Sequence, residues 1–279
     1  VSAIYRSPAA EREIRDRYLR DLAAWPVPVE HARVPTRAGE TFVVSCGPED
    51  APPVVLLHGS GANTTAWRDD AAVLARGSRV HCVDLVGEPG LSAPSRPPLD
   101  SDALAAWLDE VLDGLGVTAT ALVGMSLGGW VALDYTDRRP ERVRRLGLLC
   151  PGGVGRRRTE RILGTMLLGL LVPGGRRRSV RAMTGLRDPE HREVLDAVQL
   201  TFSGFRPRTE PLPVFSDGAL RRLTVPVRLI VGDRDAMFDS RRTVRRIRAC
   251  APHAQVSVLP GTGHAILGQG EALAAFLDG

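Results

Sequence analysis

A chain of 279 residues with a net charge of +5 and four cysteines is long enough for one large α/β domain with an insertion, and buries about three quarters of its unfolded surface without help from disulfides or metal. All 37 basic residues are arginine, and the runs 156–158 and 176–178, with no stacking aromatics between the arginines, read as solvated helix ends rather than a nucleic-acid surface. Cys46, Cys82, Cys150 and Cys250 are far apart and form no C-x-x-C pair, so they read as small buried hydrophobes; no metal and no cofactor are expected.

The opening residues Val1-Ser2-Ala3-Ile4-Tyr5-Arg6 lack the basic start and apolar core of a secretory leader, so a cytoplasmic location is the expectation. Ser7-Pro8 followed by Ile14, Tyr18, Leu19 and Leu22 predicts a capped amphipathic helix packed outside the main sheet. Residues 31–36 and 41–46 read as a hairpin, and Gly47-Pro48-Glu49-Asp50 marks the next turn. Short continuous apolar runs then alternate with helical patterns at 54–57, 80–83, 121–123, 146–149, 227–231 and 255–259. Strands covered by helices on both faces of a parallel sheet have this appearance. Leu104, Trp107, Leu108, Val111, Leu112 and Leu115 keep the spacing of one buried helical face, with Asp100 or Ser101 available as its cap. No strand pattern occurs between Pro151 and about Leu223, so this stretch is expected to be a helical insertion over the carboxyl ends of the strands, where ligands bind in open α/β sheets. Its apolar segment 162–172 is too short for a bilayer, which needs about 20 residues.

Gly124-Met125-Ser126-Leu127-Gly128 lies between the run 121–123 and a helix-like stretch. A serine on such a sharp strand-to-helix turn projects its hydroxyl above the strand ends, and flanking glycines let neighbouring backbone approach. The pentapeptide alone also occurs as a purely structural turn. A serine nucleophile needs a base, and the base needs an acid to fix its tautomer. Of six histidines, His264 in Gly261-Thr262-Gly263-His264 follows the last strand and so shares the sheet edge of Ser126. His253 precedes that strand; His31 lies in the hairpin, His81 inside a strand, His191 in the insertion and His58 in a separate loop. Asp235, after Gly232-Asp233-Arg234, stands at another carboxyl strand end, with Asp233 and Asp239 as rivals; a helix cap near Ser240 suits Asp239 better. Backbone N–H groups of Leu127 and of Ser60, within His58-Gly59-Ser60-Gly61, are the expected oxyanion donors; His58 itself is not expected to be the base.

The chain resembles the α/β-hydrolase family through Leu56-Leu57-His58-Gly59, Asp84-Leu85-Val86-Gly87-Glu88-Pro89-Gly90-Leu91-Ser92, the serine turn, Arg139-Pro140-Glu141-Arg142-Val143, Gly232-Asp233-Arg234-Asp235 and Gly263-His264. The Gly-Glu-Pro-Gly segment and the amphipathic N-terminus look most like a bacterial carboxylesterase branch. The resemblance implies an α/β-hydrolase fold with a mostly parallel eight-stranded sheet flanked by helices and a helical lid after the sixth strand. The parts are residues 1–150 of the core, the lid 151–223, and residues 224–279 of the core. It also implies Ser126 as nucleophile, Asp235 as acid and His264 as base. Gly59, Met125, Met237 and Phe238 are expected at the substrate pocket, and residues 162–172, Met183, Phe202, Phe205 and Phe215 suit either an apolar pocket wall or core packing. Serine rather than aspartate at position 126 argues against haloalkane dehalogenases and epoxide hydrolases. Ala62-Asn63 after Gly61 argues against carbon–carbon bond hydrolases. The expectation is a serine carboxylesterase acting on a small to medium apolar ester, with no nucleic-acid partner and no membrane span. A specialised pathway hydrolase (carbon–carbon bond hydrolase, thioesterase, lyase or cofactor-free haloperoxidase) and a non-catalytic ligand-binding protein are the alternatives; the oligomeric state is open.

Overall fold

The computed structural model describes residues 4–171, 174–187 and 189–279; residues 1–3 of the opening segment and Val172 of the apolar insertion segment lie outside them. Eight strands form one sheet in the order β1-β2-β4-β3-β5-β6-β7-β8, from β1 (Glu30–Val34), β2 (Thr41–Cys46), β3 (Pro53–Leu57), β4 (Arg79–Val83), β5 (Thr120–Met125), β6 (Val143–Leu149), β7 (Val227–Gly232) and β8 (Gln255–Leu259). The β1–β2 and β2–β4 pairings are antiparallel; the rest are parallel. The hairpin and all six apolar runs are therefore strands of this sheet.

Alternation along each strand feeds two cores. Val55, Leu57, Leu122, Leu146, Leu148 and Leu229 face the helices α3 (Ala103–Gly114) and α4 (Leu127–Arg138). Val54, Leu56, Val123 and Ile230 face α1 (Pro8–Ala23), α2 (Arg68–Leu74) and α10 (Gly270–Asp278). Burial on both faces is why these strands are apolar throughout. Ser7 caps α1, its hydroxyl accepting the Ala10 N–H at 3.1 Å. At α3 the Ser101 hydroxyl accepts the Ala103 N–H at 3.2 Å, while Asp102 occupies the N-cap position.

Register matters most for the site. Leu57 stands beside Gly124, Met125 beside Leu149, Leu149 beside Ile230, and Gly232 beside Leu259. Strands β3, β5, β6, β7 and β8 consequently end along one rim, and the loops leaving them converge. Helices α5 (Thr159–Leu171), α6 (Gly175–Thr184), α7 (Arg192–Gly204) and α8 (Asp217–Arg221) lie between β6 and β7. Helix α9 (Ser240–Cys250) follows β7 and is capped by Asp239, whose carboxylate accepts the Arg242 N–H at 3.0 Å. No helix among the described residues is long and apolar enough to cross a membrane.

Candidate active site

The turn between β5 and α4 depends on its glycines. A Cβ on Gly124 would collide with the Gly128 carbonyl, and one on Gly128 with the Leu57 carbonyl oxygen of the adjacent strand. Packed this closely, the backbone holds Ser126 at φ 52°, ψ −107°, outside the regions an L-residue ordinarily occupies. The Ser126 N–H donates to Leu149 O at 2.9 Å, and its carbonyl accepts from Trp130 and Gly152 N–H, each at 3.0 Å. The side chain is left pointing off the helix end, with no capping bond of its own.

Ser126, His264 and Asp235 form one hydrogen-bonded chain. His264 Nε2 lies 3.0 Å from Ser126 Oγ, and His264 Nδ1 lies 2.9 Å from Asp235 Oδ2. The second oxygen of Asp235 accepts the N–H groups of Met237 at 2.7 Å and Phe238 at 3.0 Å. The Asp235 side chain is 1% exposed and that of His264 12%, so the pair is screened from water but reachable at the serine end. Phe238 packs edge-on to the His264 ring, centroids 5.3 Å apart. Burial works against the imidazolium of His264 but is outweighed by the sulfur of Cys150 and the carboxylate of Asp235, which hold its pKa well above the ordinary value. For Asp235 burial also disfavours charge, yet His264 and the N–H groups of Phe238 and Met237 bring the pKa below the usual carboxylate value.

The loop after β3 faces the serine. A Cβ on Gly59 would sit 3.4 Å from that of Ser126. His58 Nε2 accepts the Leu85 N–H at 3.0 Å, so the ring proton sits on Nδ1 and donates to the Gly59 carbonyl at 2.8 Å. Complete burial depresses the His58 pKa to about 4, against the small opposing effect of that carbonyl. His58 is thus a neutral structural brace. Ala62 N–H also reaches the Gly59 carbonyl, at 3.3 Å. Because carbonyl and N–H point in opposite directions across a trans peptide, anchoring the Gly59 carbonyl turns the Ser60 N–H the other way. It has no acceptor among the described residues. The Leu127 N–H, at the first position of α4, likewise has no intrahelical partner.

The other candidates lie elsewhere. His253 bonds Val225 O at 3.0 Å at the far end of the sheet, and His81 pairs with Ser45 Oγ at 2.8 Å. His31 lies tilted against the Phe42 ring, and His191 sits at the start of α7. Asp233 is exposed. Of the insertion aromatics, Phe202 touches the site, its ring 3.6 Å from where a Cβ of Gly61 would stand. Phe205 is fully buried against Ile4, Tyr5 and Ile14, and Phe215 packs on Trp130; both belong to core packing.

Three neighbours escaped the sequence reading. The tip of Leu212 fills the space over Gly152, beside the Ser126 carbonyl. Cys150, buried as expected, has φ 38° and its thiol donates to the His264 carbonyl at 3.1 Å. The carboxylate of Glu88, 1% exposed, accepts the Gly61 N–H at 2.7 Å and the Ser60 hydroxyl at 3.2 Å. Only the last carried a signal, an acidic residue in the Gly-Glu-Pro-Gly segment.

This architecture, a serine turn on β5 with histidine and acid following β8 and β7, defines an α/β hydrolase. Residues 54–276 match the alpha/beta hydrolase family, and the chain belongs to it. It is 30% identical over 262 residues to a Bacillus subtilis (strain 168) protein described as an uncharacterized carboxylesterase, nap, covering 89% of this chain and 85% of that protein. The crystal structure of carboxylesterase CesB (YbfK) from Bacillus subtilis matches with a TM-score of 0.79 at 26% identity, over 96% of this chain and 97% of that one. A 2-hydroxymuconate semialdehyde hydrolase of Pseudomonas sp. (strain CF600) is 39% identical, but over 108 residues, 37% of each chain.

Proposed function

We propose that the protein is a serine hydrolase of carboxylesterase type, acting on a small to medium apolar ester. The observation that carries this reading is the continuous chain from Ser126 Oγ through the His264 ring to Asp235, mounted on a strained turn. Ser126 Oγ attacks the ester carbonyl while His264 Nε2 takes its proton; Asp235 holds the ring by Nδ1 and stabilises the imidazolium. The N–H groups of Ser60 and Leu127 receive the oxyanion. His264 then protonates the departing alcohol, and water, deprotonated by the same ring, releases the acid from the acyl-enzyme.

Phe202, Leu212 and Phe238 give the rim an apolar lining, with Gly59 leaving room above the serine. Similarity to the carboxylesterase nap extends over most of the chain, insertion included, whereas similarity to the ring-cleavage hydrolase stops at about a third. This favours an ester over a carbon–carbon bond. Hydrolysis of short p-nitrophenyl esters should be readily measured, and Ser126→Ala should lower turnover by roughly six orders of magnitude. A fluorophosphonate should label Ser126 of the native protein. Undiminished ester turnover in Ser126→Ala would overturn the proposal; a labelled but ester-inactive protein would move the substrate away from simple esters.

A further inference from the structure

Glu88 is buried without an ion pair among the described residues. Its Oε2 receives both the Gly61 N–H and the Ser60 hydroxyl, and its Oε1 has no partner among the described residues. Arg96 and Arg208 lie close enough to act on its charge, but their guanidinium groups bond the carbonyls of Gly87, Arg206 and Pro97 and the carboxylate of Glu210. Placing a carboxylate there is unfavourable, and burial outweighs both arginines in lifting its pKa to about 7. The segment is nonetheless firmly built. Gly87 N–H donates to Ala93 O at 2.8 Å, Gly90 N–H to Glu88 O at 2.8 Å, and Asn63 Nδ2 to Pro89 O at 3.3 Å.

Two peptide planes flank Ser60. The Gly59–Ser60 plane is held by its carbonyl, through His58 and Ala62, and the Ser60–Gly61 plane by its N–H, through Glu88. The Ser60 N–H lies in the first plane and is aimed by the Gly59 carbonyl; with the second plane held by Glu88, the chain beyond Ser60 cannot swing and turn the first plane away. We propose that Glu88 is a positioning residue of the reaction, whose buried carboxylate locks the Ser60–Gly61 turn so that the Ser60 N–H meets the oxyanion. It acts through the backbone and touches no reacting atom. Above about pH 7, where Glu88 is mainly ionised, it is a charged acceptor, whose hydrogen bonds are about twice as strong as neutral ones.

The inference rests on the esterase reading and predicts a loss confined to the transition state. Glu88→Ala should lower kcat about 30-fold or more while KM for a short ester stays within about twofold, short of the ~10²–10³ lost when an oxyanion donor is deleted. A trifluoromethyl ketone probes the same group. Ser126 Oγ bonds its carbonyl carbon, the hydroxyl proton passes to His264, and the carbonyl electron pair becomes the oxyanion. Its affinity should fall in step with kcat. Glu88→Gln keeps an acceptor oxygen and should retain activity within about threefold, whereas Glu88→Asp withdraws the carboxylate and should lose about tenfold. That contrast carries the test should the alanine variant fail to fold. Asp and Gln variants equal to the native protein in kcat and ketone affinity, or a rise in KM at constant kcat, would overturn the inference. Ser126→Ala assayed alongside separates the cases: if it stays active the esterase reading itself fails, and if it is inactive while the Glu88 variants are unaffected only the role of Glu88 falls.

Discussion

The geometry at His264 ties the direction of its pKa to the rate. In the proposed reaction, proton abstraction from Ser126 requires a neutral ring, so kcat/KM should rise with pH as the imidazolium loses its proton. Asp235, 2.9 Å from Nδ1, favours the charged ring, and together with Cys150 overcomes the effect of burial. The midpoint of the rise should therefore stand above the ordinary imidazole value of about 6.5. Asp235→Asn removes the carboxylate charge and should move the midpoint down while lowering the rate. The profile of kcat/KM between about pH 5 and 9 checks both. A native midpoint below that of the asparagine variant would sink the argument. The ring's other neighbours hold its position: Phe238 lies against the edge, and the Cys150 thiol grips the residue's carbonyl. Gly263 before it must be glycine, since a Cβ there would stand 2.5 Å from the Thr184 carbonyl oxygen at the end of α6.

At the scale of elements, α1 does more than cover the sheet: it bonds the loops after β3 and β4. The Tyr18 hydroxyl donates to Asp84 Oδ2 at 2.9 Å and shares a 2.6 Å bond with Thr64 Oγ1. Asp84 in turn accepts the Thr64 and Leu91 N–H groups, each at 2.8 Å, so one buried carboxylate joins the loops after β3 and β4. Tyr18→Phe leaves that carboxylate short of a donor and should destabilise the fold by about 1–3 kcal/mol, read from denaturant unfolding. An unchanged unfolding midpoint would show that the helix merely covers the sheet. The sheet was legible because burial on both faces leaves continuous apolar runs, and the serine, histidine and acid could be placed because each follows such a run. The supporting contacts were not. A Glu in a Gly-Pro loop has no periodicity, and nothing local distinguishes Glu88, buried under the Ser60–Gly61 loop, from a solvated charge. The insertion was opaque for another reason: an apolar residue on a helix serves a pocket or a core equally, and only tertiary packing sets Phe202 against the loop at Gly61 and Phe205 in the core.

For the whole molecule, buried titratable groups of opposite behaviour should flatten the dependence of stability on pH. Burial raises Asp70 and Asp84 to about 6 and Glu88 to about 7. From their unfolded values up to these folded ones the native state keeps protons that the unfolded chain has released, so stability falls as pH rises. Burial lowers His58 and His81 to about 4. Between there and the ordinary imidazole value the unfolded chain holds the extra protons, and stability rises with pH. Between about pH 5 and 6 three carboxyls oppose two imidazoles, so over that window the thermal midpoint should drift gently downward rather than climb. Below that range Asp235, whose folded pKa is depressed, adds stability that is lost as pH falls through that value. His81→Gln removes one of the two rising contributions at a position remote from the serine, and should steepen the downward drift without altering which groups act below about pH 4. Calorimetric scans of the native protein and this variant at matched ionic strength make the comparison. A native midpoint climbing steadily over the window, or two curves of equal slope, would mean that these buried groups do not govern the balance.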